Sequence, residues 1–261
     1  MKPLLYLLLT ATLFACNDTQ AQKGSNTSTK APPLYSVSDL TKERLNGHIK
    51  TAILHNYHSV EMVNNQWVPT RNNETKYFIT KKHYDQQGFI QTVEEHKIGR
   101  SLEDWPKSIR IDSFYYLNKI LTHSDIYVGH TNEDGHTKPP TITFREIYYW
   151  SGPYTYKTRW LHWMDGSFDS LNYRLSKYLL NNNYQHIKIE LSDSEDTNKI
   201  SYTALFLYDK DYTTKKTTTP GGKPYITETI LKRDAAGNPV QVLYIGEKEA
   251  YTYNIAYEYY Q

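Results

Sequence analysis

Near the end of the chain, Tyr251, Tyr253, Ile255, Tyr257 and Tyr259 alternate with Thr252, Asn254, Ala256, Glu258 and Tyr260. A period of two places the first set on one face of a β-strand. Two further apolar runs, 226–231 and 240–245, flank Arg233-Asp234-Ala235-Ala236-Gly237-Asn238. Gly and Asn tolerate positive φ, so this segment predicts a hairpin turn. The same device recurs at Tyr84-Asp85-Gln86-Gln87-Gly88, between Tyr77-Phe78-Ile79 and Phe89-Ile90. Weaker copies are Tyr115-Tyr116-Leu117-Asn118-Lys119, Tyr178 with Asn181-Asn182-Asn183, and Tyr208-Asp209-Lys210-Asp211. Their separations, 32 from 84 to 116, 30 from 178 to 208 and 25 from 208 to 233, predict a two-stranded unit copied along a meander. Residues 168–180 fit either period, and the neighbouring strands together with Asn181-Asn182-Asn183 favour a strand there. Ser38 and Asp39 before Leu40-Thr41-Lys42-Glu43 predict one short helical turn. The fold class that follows is all-β, a curved antiparallel sheet of hairpin repeats forming one domain over residues 36–261.

Composition agrees. The chain holds 25 Tyr against 7 Phe and 5 Trp. Tyr suits a pleated, half-buried surface, because the ring packs while the hydroxyl stays wet. Residues 17–33 are polar and small, cannot support a core, and predict a flexible tether within residues 16–35. Residues 1–15 carry one cation, Lys2, and an apolar run from Pro3 to Ala15. That run falls short of the about 20 apolar residues a membrane-spanning helix needs. The formal net charge is +2, and without Lys2 there remain 29 Lys+Arg against 28 Asp+Glu. No basic field for nucleic acid results.

The only cysteine is Cys16, directly after Leu13-Phe14-Ala15. This segment resembles the signal peptide and lipobox of a bacterial lipoprotein. Leu13, Ala15 and Cys16 fit that pattern, and Phe14 is bulkier than usual at its position. The resemblance implies a leader over 1–15, lipidation at Cys16 and a lipid anchor in the outer membrane. With Cys16 so used, no thiol remains for a disulfide, a zinc site or a nucleophile. The turn units at Tyr84-Asp85, Tyr208-Asp209 and Arg233-Asp234, with the closing Tyr257-Glu258-Tyr259-Tyr260, resemble degenerate YD (Rhs-type) repeats of Bacteroidota-like lipoproteins. Residues 39–51 are similar to the first strand of those proteins. That family implies a curved antiparallel sheet and no catalytic residues.

No nucleophile-elbow, zincin, Walker or Rossmann fingerprint is present. His55 with His58, or His130, Asp134 and His136, could supply metal ligands, but positions 55 and 58 of a regular strand face opposite ways and 130–136 reads as a turn. Asp193, Glu195, Asp196 and Asn198 could offer oxygens to calcium, without the spacing of an EF-hand. Asp165, Asp169, Glu103 and Asp104 could form a glycosidase carboxylate pair, for which the deciding quantity is a distance. The candidate binding surface is aromatic: Tyr149, Trp150, Tyr154, Tyr156, Trp160 and Trp163, able to stack on sugars or anchor a protein. The expectation is a non-catalytic envelope binding module, with no cofactor and no nucleic-acid partner, held to the membrane by its lipid and open to a protein or glycan. The alternatives are a glycan-binding accessory lipoprotein, a glycan-active enzyme, and an integral outer-membrane barrel whose lipid face should be richer in Leu and Val.

Overall fold

The computed structural model describes residues 37–70, 75–98, 108–130, 138–152, 154–169, 175–183, 185–192, 200–247 and 249–261. Cys16, the leader and the tether lie outside them, as do Glu103, Asp104, Asp134, His136 and the acidic loop 193–198. One helical turn, α1 (Asp39–Lys42), precedes sixteen strands. The first eight are β1 (Ile49–Val63), β2 (Gln66–Pro69), β3 (Thr75–Tyr84), β4 (Ile90–Ile98), β5 (Ser108–Leu117), β6 (Ile120–His130), β7 (Thr141–Gly152) and β8 (Thr155–Met164). The others are β9 (Ser167–Asp169), β10 (Leu175–Leu180), β11 (His186–Ser192), β12 (Tyr202–Tyr208), β13 (Thr214–Thr218), β14 (Ile226–Arg233), β15 (Pro239–Gly246) and β16 (Ala250–Tyr259). The described parts of 168–180 are strand, as the sequence suggests.

The sheet is all-antiparallel and closes on itself. β16 pairs with β1, from Ile49 opposite Tyr259 to Ser59 opposite Tyr251. The ring has 14 strands and follows chain order, with β8 paired directly to β10. β2 and β9 are hairpin leaves on the ends of β1 and β8. The curved meander read from the sequence is thus a full up-and-down barrel, which leaves the ring no free edge.

In such a ring every second connection lies at the same end. The connections after β3, β5, β7, β10, β12 and β14 share one end, and all but the one after β7 are the repeat turns of the sequence. Four are built alike. Asp85 accepts from the backbone N–H of Gln87 and Phe89, and Asn181 from those of Asn183 and Gln185. Asp209 accepts from Thr213 and Thr214, and Asp234 from Asn238. The carboxylate or amide replaces backbone partners that the reversal removes. Between β5 and β6 the turn is a two-residue one, with Asn118 (φ 52) and Lys119 (φ 67) both left-handed.

α1 closes this same end. Ser38 caps it by accepting from the Thr41 N–H. Leu40 packs at Gly88 and donates its N–H to the Gly88 carbonyl, Tyr116 donates to Asp39, and the Arg44 guanidinium lies 3.6 Å over the Tyr212 ring. Below it, Asn238 is fully buried and accepts from the Asn46 N–H at 2.7 Å. Glu43 points inward and takes Lys82 at 2.6 Å and Tyr84 at 2.7 Å. The largest apolar cluster, including Leu40, Leu45, Ile49, Ala52, Tyr84, Ile230, Val242, Tyr253 and Ile255, fills the barrel behind this plug.

The outer wall carries charges on many of its strands, with apolar positions such as Ile111, Leu161, Leu207 and Leu231 between them. Cross-strand register puts Lys81, Glu94, Asp125, Arg145, Lys157, Lys177, Lys188, Glu190 and Lys216 on it. A lipid-facing band would replace such charges with Leu and Val. His55 and His58, expected on opposite faces, both face outward. One extra residue of β1 bulges between them against β16, so they stand opposite Asn254 and Thr252. No group of three metal-ligating side chains assembles among the described residues.

Candidate functional site

Strand alternation divides the aromatic run between the two faces of the wall. Trp150, Tyr156 and Trp160 point into the barrel, opposite the outward Tyr149, Lys157 and Leu161 positions. Tyr149 is half exposed outside, at 49%. Trp163 also faces out, edge-on to Phe168 at 4.7 Å, and Arg145 caps the other side of Phe168 at 4.4 Å. Tyr154 sits at the β7–β8 turn against Tyr156 and Leu180. The six residues therefore make two surfaces, and the larger is inside. Asp165 lies exposed in the β8–β9 turn, remote in register from the inward set, and the Asp169 side chain lies outside those described.

Inside, alternation on β4 to β10 stacks a polar and aromatic wall. Glu95 stands opposite Arg110, Ser124 opposite Glu146, Glu146 opposite Trp160, and Thr158 between Tyr148 and Ser176. Arg110 grips Asp112, two residues along the same strand, with two bonds of 2.7 Å. Glu146 is bonded at both oxygens, by the Tyr148 hydroxyl and the Trp160 indole N–H, each at 2.8 Å. Phe144 stacks on His162 at 4.9 Å and leans on Trp160 at 5.8 Å. Nearer the plug, Tyr156 stacks on Tyr178 at 4.5 Å and shares a hydrogen bond of 2.8 Å with His186 Nε2.

On the β4–β8 side exposure rises along the barrel axis, whereas on the β12–β16 side inward residues such as Ala204, Ile226 and Tyr244 stay buried. Inward side chains at the plugged end are buried, with Ala52 at 0% and Val242 at 4%. Arg110 keeps 23% of its surface, and Glu95, Phe144, Trp160 and His162 are half-buried. The lumen is thus packed behind α1 and accessible to water further from it.

The charges there are unbalanced. Lys82 is committed to Glu43, Arg110 to Asp112, and Lys215 to Glu228 at 2.9 Å. Glu95 and Glu146 have no ion-pair partner among the described residues. Burial pushes both carboxyls above the usual carboxylate range; hydrogen bonds oppose this at Glu146, and Arg110 opposes it at Glu95. Asp112 is raised by burial too, against the pull of Arg110. The Thr158 hydroxyl is fully buried close to the Glu146 carboxyl and the Tyr178 hydroxyl, whose ionised forms it helps to stabilise, and it receives no donor among the described residues.

Arg110, Asp112, Glu95, Glu146 and Thr158 did not emerge from the sequence as site residues. The available signal was charged residues alternating with aliphatic ones, as in Ile109-Arg110-Ile111-Asp112. A solvated face gives the same pattern, so the signal fixes a period without fixing which side is in.

No family model matches the chain, and no curated protein matches its sequence. Among solved structures it is similar to a DUF1329 family protein from Desulfovibrio piger, with 9% identity, 87% of this chain and 91% of that chain covered, and a TM-score of 0.34. A likeness of that degree carries no argument about function.

Proposed function

We propose that the chain is a non-catalytic envelope lipoprotein, anchored through Cys16, whose barrel binds a small ligand in its lumen. One observation carries this reading: the inward wall changes from buried and apolar behind the plug to accessible, aromatic and charged beyond it. Aromatic faces beside a few converging polar groups are the usual make-up of a small-molecule site. The Asx-built turns, all at one end, support kinship with YD-repeat lipoproteins. Asp112 held by Arg110, and Glu146 held by Tyr148 and Trp160, suit recognition better than proton transfer, because each carboxyl is already tied at both oxygens.

The test is calorimetric titration of the full chain in mild detergent with neutral oligosaccharides and small polar metabolites. Saturable binding that Trp160→Ala abolishes while the thermal transition is kept supports the lumen. Binding lost instead with outward Tyr149→Ala and Trp163→Ala moves the site to the outer wall. The anchor is tested separately, by loss of fatty-acid labelling in Cys16→Ser.

A further inference from the structure

We infer that the lumen site takes an organic ammonium group, a protonated amine with N–H donors carried on an apolar or sugar-like body. The inference rests on the lumen-binding reading and names its ligand class.

The first argument is charge. Among the described side chains on the β3–β8 side of the lumen, the inward ionisable groups are Glu43, Lys82, Glu95, Arg110, Asp112, Glu146 and His162; Lys97 and His130 also take inward register positions, with side chains outside those described. The two described cations are each spent on one carboxylate at hydrogen-bond distance, Lys82 on Glu43 and Arg110 on Asp112. Glu95, opposite Arg110, and Glu146 are left without an ion-pair partner among the described residues. A buried carboxyl without a cation is expensive to ionise, and an arriving cation removes that cost.

The second argument is the orphan hydroxyl. Thr158 is fully buried on the inward face, next in register to Tyr148 and Ser176, and has lone pairs that no donor uses. A ligand N–H supplies what is missing. Anionic ligands are disfavoured by the same carboxyls.

The third argument separates an ammonium from a metal ion. No three ligating side chains converge among the described residues. The rings of Phe144, Trp160, His162 and Tyr148 line the approach instead, and aromatic faces attract organic cations. Glu146 is held by the half-buried Trp160, and Arg110 and Glu95 keep contact with water.

The test is calorimetric titration of the full chain in mild detergent with putrescine, with its neutral isostere butanediol, and with tetramethylammonium, which has charge but no N–H. Glucosamine and glucose form a second matched pair. The inference expects putrescine and glucosamine to bind and their neutral partners to bind at least about tenfold more weakly. Tetramethylammonium should be weaker than putrescine, because it cannot donate to Thr158. Glu146→Gln and Glu95→Gln should each weaken putrescine by about tenfold more than they weaken glucose, and Thr158→Val should narrow the gap between putrescine and tetramethylammonium. Amine affinity should also fall on acidification, as the Glu95, Glu146 and Asp112 carboxyls, all raised by burial, take up protons. Equal binding of the neutral isosteres, or no effect of either Gln variant, overturns the ammonium assignment and leaves the lumen reading standing. Failure of every amine, sugar and metabolite to bind overturns both.

Discussion

Glu146 and His186 sit within one aromatic wall and pull acid stability in opposite directions. Burial raises the Glu146 carboxyl, so the folded state keeps a proton that the unfolded chain releases just above 4.5. Stability therefore falls as pH rises from there to the raised value. His186 is pushed down from 6.5 to about 4 by burial, with Lys215 and Lys42 adding to it. Its contribution is complete above 6.5 and is lost as pH falls toward 4. His186→Gln, which can still accept from Tyr156, should flatten the loss of stability between those limits, by at most about 1.4 kcal/mol per pH unit. Glu146→Gln should instead remove the decline on the alkaline side of 4.5. Denaturant titrations at a series of pH values check both, and parallel curves for wild type and variants would refute them. At this scale the sequence was legible in period and silent in sign. Arg110, Asp112 and Glu146 face the lumen while Ile109, Ile111 and Ile147 take the outer positions, which reverses the usual reading of alternation. Only closure of the sheet makes an interior wide enough to tolerate those charges.

The decisive element is the plug. Its helix is one turn long and cannot stand alone, so its place depends on what it touches. Lys82 is only 2% exposed and meets Glu43 at 2.6 Å, with Tyr84 on the other oxygen. Glu43→Ala leaves that ammonium buried and unpaired and should cost about 3–5 kcal/mol. Glu43→Leu with Lys82→Met should recover most of the loss, since the surroundings are apolar. If the double variant is as unstable as the single one, the cost is not the stranded charge. Gly88 probes the contact from the other side. It has φ +84, and a Cβ there would stand 3.1–3.2 Å from Leu40 and Ser38. Gly88→Ala should thus cost about 1–3 kcal/mol through both strain and displacement of the plug. Chemical denaturation measures it, and a loss below about 0.5 kcal/mol would mean that α1 is loosely seated. These elements were largely readable. Ser38 before Asp39 marked the cap, and Asp85, Asp209 and Asp234 marked turns, because their chemistry is local. That α1 stoppers a barrel was not readable, because its partners Tyr116, Tyr212 and Asn238 come from three distant turns.

Across the whole molecule, one long-range pairing turns a meander into a barrel. Each neighbour pair from β3 onward forms between adjacent segments, whereas β1 and β16 lie at opposite ends of the described chain and meet only if the sheet curls fully. Sequence periodicity carries no information on that step, which is why the curved sheet was legible and its closure was not. An open sheet would hold Ile53 and Ala256 apart by its full width. In the barrel they stand directly opposite on the outer face, in register between Ala52–Tyr257 and Leu54–Ile255. Ile53→Cys with Ala256→Cys, in a Cys16→Ser background, should form an intramolecular disulfide under mild oxidation, read by mass and by faster migration on a non-reducing gel. The bridge would enclose nearly the whole domain, where the loop-entropy argument gives a stabilisation of about 5 kcal/mol as a ceiling that strain reduces. Cross-linking should also protect the lumen: if the ring is the unit that unfolds, the oxidised protein keeps its Trp150 and Trp160 fluorescence to higher denaturant than the reduced one. Failure to cross-link in a folded protein would argue for an open sheet and against an enclosed site, and a bridge that leaves the denaturation midpoint unchanged would mean that the ring is not the unit that unfolds.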